Sequence, residues 1–111
     1  ATDLPVIITD RDHVISVSGI SKKEYLERRI SSELETLMES RTNYTASADE
    51  EPIYPISGMS REAAVAYPII GSGDVSGCVV LLLNSDGSLP SETERKLVAV
   101  AASFLGKQME E

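Results

Sequence analysis

Five consecutive residues, Val79 to Leu83, carry no polar side chain, and that run restricts the folds open to this chain more than any other feature. Side chains alternate between the two faces of a strand, so a segment apolar at every position can leave neither face in water. It closes a strand read as Val75 to Leu83 (VSGCVVLLL), and Ala63 to Ile70 (AAVAYPII) precedes it. Gly71-Ser72-Gly73-Asp74 joins the two with turn chemistry, which makes them a hairpin. The 111 residues form one domain, 1–111, large enough to bury a core without disulfide or metal. Central strands that are apolar on both faces require helical cover on both sides.

The remaining elements agree with that frame. Leu4 to Thr9 reads as a β-branched strand and Val14 to Ser18 as its returning partner, with Asp10-Arg11-Asp12 as the turn. Ser21 with Glu24, Ser32 with Glu35 and Ser91 with Glu94 have capping-box spacing. They predict a short helix to about Arg28, a second ending near Arg41 to Asn43, and a third from Glu92 to Met109. Between them, Thr42 to Ser60 is an acidic, proline-punctuated stretch in which Tyr44 and Ile53-Tyr54 could supply an edge strand. A loop of that length inside a small domain is a natural place for a ligand. The fold class is α+β: a largely antiparallel sheet with helices on both faces.

Composition removes several functions. The net charge of −8 opposes binding to nucleic-acid phosphates, and Lys22, Lys23, Arg28 and Arg29 are interleaved with Glu24 and Glu27 as on a solvated helix face. One cysteine excludes an internal disulfide and a multi-cysteine metal site. Cys78 sits mid-strand as a small hydrophobe, consistent with a reducing cytoplasm. The only histidine, His13, falls in a turn with no evident nucleophile, so no catalytic set can be placed. Gly71-Ser72-Gly73 joins strands, whereas a phosphate loop would open a helix. No apolar run approaches the roughly 20 residues of a membrane span. No metal, cofactor or enzymatic activity is expected.

The last helix carries more apolar surface than one packing partner needs. At 100° per residue, Leu97, Val100, Ala101 and Phe104 share a side, which is assigned to the sheet. Val98, Ala102, Leu105 and Met109 form a neighbouring side, assigned to a partner subunit or to a helix upstream of Ala1. The start at Ala1-Thr2-Asp3 reads as a cut into a longer chain. On this assignment, Leu105→Asp or Met109→Asp weakens a dimer.

Three blocks carry a resemblance: VIITDRDHVISVSGISKKEYLERRIS (Val6 to Ser31), YPIIGSGDVSGCVVLLL (Tyr67 to Leu83) and ERKLVAVAASFLGKQME (Glu94 to Glu110). Together they are similar to the C-terminal domains of the stage V sporulation protein T family of AbrB-type sporulation regulators. The resemblance implies a GAF-like fold, with five or six antiparallel strands between helical layers. It implies a cytoplasmic transcription regulator, activator or repressor, whose DNA contacts belong to an N-terminal swapped-hairpin domain outside this chain. The module itself then senses an unidentified small-molecule effector and dimerises, or serves only as an oligomerisation scaffold without a ligand. By position in a GAF-like fold, Ser18, Tyr54, Met59 and Tyr67 are the candidate ligand contacts. Each also has an ordinary structural role open to it: a strand end, a loop residue, a gap filler and a core aromatic.

Overall fold

The computed structural model describes residues 4–84 and 86–108. Among them the elements run β1 (Val6–Thr9), β2 (Val14–Ser18), α1 (Lys22–Tyr25), α2 (Ser32–Ser40), β3 (Tyr44–Thr45), β4 (Ala63–Gly71), β5 (Asp74–Leu82) and α3 (Glu92–Gln108). The strands form one sheet in the order β2-β1-β5-β4-β3, every pairing antiparallel. This is the α+β architecture expected from the apolar hairpin.

The apolar run sits at the centre of that sheet, with β5 hydrogen-bonded to β1 on one side and β4 on the other. Its side chains divide by alternation. Cys78, Val80 and Leu82 join Leu34, Leu37 and Met38 of α2 and Tyr25 of α1 in one cluster. Val79 and Leu81 join Val98 and Ala102 of α3 in the other. Two helical layers therefore enclose a single sheet, because both faces of β5 are apolar and buried from Gly77 onward.

The β4–β5 turn is built as its sequence predicts. Gly71 pairs with Asp74, and the two residues between them, Ser72 and Gly73, have φ of 54° and 85°. Paired positive φ values match the twist of a two-residue hairpin. Gly77 answers a different need: any Cβ there would collide with the carbonyl oxygen of Thr9 on the adjacent strand. The β1–β2 turn is closed by Asp10, whose carboxylate accepts the N–H groups of Asp12 and His13, each at 2.7 Å. The His13 and Asp12 amides hold the Asp10 carboxyl below its ordinary pKa.

The three expected caps fare differently. Ser91 and Glu94 form a reciprocal capping box at α3, with Ser91 N–H donating to Glu94 Oε1 at 2.9 Å and Glu94 N–H to Ser91 Oγ at 3.1 Å. At α2 the cap is Ser31, not Ser32: its Oγ accepts Leu34 N–H at 3.2 Å. Ser21 precedes α1 without a side-chain cap bond. That helix stops at Tyr25 rather than Arg28, because the next residues are drawn onto the sheet. Glu27 turns to φ 67° and its N–H donates to Val14 O, while Val14 N–H donates to Arg28 O.

Two further expectations need correction. Ile53 and Tyr54 lie outside the sheet, where β3 is only Tyr44–Thr45; Ile53 still accepts Ala63 N–H through its carbonyl. The larger correction concerns α3, which meets the sheet through the side expected to face outward. Val98 and Ala102 are each 4% exposed, and Gly106 is buried with them. Leu97, Val100 and Phe104 remain 54%, 66% and 60% exposed. Ala101 and Leu105 lie half-buried against the α3-side cluster, and Met109 falls outside the described residues. Small residues explain the orientation. A Cβ at Gly106 would strike the Ile70 carbonyl oxygen, so the helix approaches β4 along its Ala102–Gly106 flank, where backbone can come close.

Cys78 is fully buried, and burial pushes its thiol up to about 12. A neutral, enclosed thiol is a poor nucleophile. The native protein is expected to leave Cys78 unreacted with Ellman's reagent at pH 8, and to release one equivalent only in denaturant. Rapid native labelling would place Cys78 at the surface and contradict the sheet centre described above.

Candidate functional site

Of the four candidate ligand contacts, the fold brings two together. Tyr54 and Met59 line an open depression of about 520 Å³ on the α2 side of the sheet, with Ile56 and Glu33 beside them. Four serines, Ser31, Ser32, Ser57 and Ser60, supply hydroxyls around it. Ile56 is buried and Met59 half-buried, both against the α2-side core, whereas Tyr54 is exposed.

The depression exists because two distant segments are stitched together. Ser31 N–H donates to Pro55 O and Ser57 N–H to Arg29 O, each at 2.9 Å, so Ile30 and Ile56 form an isolated antiparallel bridge. Met59 N–H closes a turn on Ile56 O. On the other wall, Tyr54 N–H donates to Glu33 Oε1 at 3.2 Å. The start of α2 and the segment 53–60 thus form the two lips of one site. Glu33, Ser31 and Ser32 escaped the sequence reading, since only this non-local pairing brings them to Tyr54.

The other two candidates lie elsewhere. Tyr67 packs on the α3 side of the sheet, and its hydroxyl accepts from Arg95 Nη1 at 3.4 Å. Arg95 also approaches Glu92 at 3.6 Å. Ser18 is exposed at the end of edge strand β2, opposite Val6, and does not line the depression. His13 is an exposed turn residue bridged to Arg29. Among the described residues no helix is long and apolar enough to cross a membrane.

A second feature is the bare face of α3. Leu97, Val100 and Phe104 recur with the 3-then-4 spacing of a two-helix seam, and Ala101 adjoins them. Val98 and Ala102, two of the four residues assigned to a subunit interface from sequence, are spent on the sheet. The face left outward is the one built from the larger side chains.

A family model described as "Stage V sporulation protein T C-terminal, transcription factor" matches residues 1–110. The chain belongs to this family. It is also 39% identical over 108 residues to stage V sporulation protein T of Bacillus subtilis (strain 168), which covers 96% of this chain and 59% of the relative. The chain therefore spans about three-fifths of that relative's length. Membership gives this domain a regulatory role in a sporulation transcription factor family.

Proposed function

We propose that this domain is a non-catalytic regulatory module that pairs with a second copy through α3 and responds to a small molecule held beside Tyr54 and Met59. Its output passes to a DNA-binding segment outside this chain, in the cytoplasm, so that the module itself makes no contact with DNA. The net charge of −8 fits that division of labour.

The observation that carries the reading is the apolar stripe Leu97, Val100 and Phe104, more than half exposed on a helix whose opposite flank already holds the sheet. Large apolar side chains contiguous on one helix face mark an interaction surface. Heptad spacing suits another helix as the partner, and a second copy offers an identical stripe for an isologous interface. The two features act together if occupancy of the depression favours one arrangement of the pair. A ligand shifts such an equilibrium only by its differential affinity for the two states.

Light scattering over a concentration series is the test. The expected result is a mass rising from 12.0 kDa towards twice that value in the micromolar range. A mass that stays monomeric at the highest soluble concentration overturns pairing through α3 by this chain alone.

A further inference from the structure

We propose that the depression between α2 and segment 53–60 takes a small organic amine with an apolar body. This deepens the effector reading above and rests on it. Among the described residues, no Lys, Arg or His lines the site, so an anionic ligand finds no cationic side chain there. It would meet the Glu33 carboxylate, which opposes the pull of the α2 N-terminus on an anion, on a protein carrying a net charge of −8.

An ammonium group finds the opposite. Glu33 is fixed through Oε1 by the Tyr54 N–H, which leaves Oε2 to accept a charge-assisted hydrogen bond. Tyr54 lines the same space, and an aromatic face attracts a cation that is within about 6 Å of it. Half-buried Met59 provides the apolar contact, its thioether adapting to irregular shapes, with Ile56 buried in the same lining. The serine hydroxyls can serve the remaining N–H donors. Carboxylate, ring and apolar contact are the parts that an ammonium on a short hydrocarbon needs.

The open setting keeps the interaction weak, because exposed ion pairs gain little. The suitable measurement is therefore a titration followed by NMR, with isoamylamine, isovalerate and isoamyl alcohol as matched probes of one shape and three charges. The expected result is that the amine shifts the Tyr54 and Met59 signals at the lowest concentration. Glu33→Gln keeps an acceptor for the Tyr54 N–H and removes the charge, so it should weaken amine binding roughly three- to fivefold. Glu35→Gln, on the same helix and outside the lining, should leave binding unchanged.

Preferential binding of isovalerate, or an amine response that Glu33→Gln leaves unchanged, overturns the assignment of ligand class while the effector reading stands. No response to any of the three probes, with a broader panel of metabolites also silent, overturns the assignment and the effector reading together.

Discussion

Leu82→Ala lowers the stability of the domain by about 2–5 kcal/mol. Leu82 is 1% exposed at the end of the central strand, and its side chain belongs to the cluster that joins the sheet to α1 and α2. Truncation loses the transfer free energy of the removed carbons and leaves a cavity that neighbours on two hydrogen-bonded strands cannot collapse into. In a domain of this size the loss corresponds to a fall in Tm on the order of 10–20 °C. Thermal unfolding followed by circular dichroism measures it. A change below about 1 kcal/mol would mean that the α2 layer packs loosely on β5.

Gly106→Val is the second large effect, and it acts on the other face. Any Cβ at position 106 meets the Ile70 carbonyl oxygen, on backbone paired with Val75 of β5. The last turns of α3 must lift from β4, at a cost of about 1–3 kcal/mol or more, and the lift also uncovers the half-buried Leu105. Hydrogen exchange should show lost protection confined to the C-terminal half of α3, with the α2 layer unaffected. Uniform destabilisation without local loss would contradict the close approach at Gly106.

These substitutions mark where the sequence could be read and where it could not. The β4–β5 hairpin was legible because every position of Val79 to Leu83 is apolar and because Ser72-Gly73 suits positive φ. The start of α3 was legible because Ser91 and Glu94 satisfy each other's backbone donors through local bonds alone. The orientation of α3 was not. Hydrophobicity points to Leu97, Val100 and Phe104 as the buried side, whereas close packing on a sheet selects the flank with the smallest residues, Ala102 and Gly106. Size won over hydrophobicity, and the larger side chains were left outward.

The depression was half legible for a related reason. Tyr54 and Met59 lie in a long loop whose composition marked it as a place for function. Ser31 and Glu33 reach them only through the bridge between Ile30 and Ile56, a pairing that no local pattern encodes. Tyr67 lies outside the depression; a half-buried aromatic on a central strand suits a ligand pocket and a core equally well. Arg95, in the first turn of α3, donates to the Tyr67 hydroxyl.

The central claim is that α3 uses one flank for the sheet and the other for a second copy. Sedimentation velocity on Val98→Asp and Phe104→Asp, with unfolding curves for both, tests it most directly. Phe104→Asp should abolish the dimer while leaving the monomer folded, with its Tm within a few degrees of the parent. Val98→Asp should instead unfold the domain, because it buries a charge against the α3-side core. A Phe104→Asp protein that still dimerises, or a Val98→Asp protein that folds normally, would contradict the division of the helix.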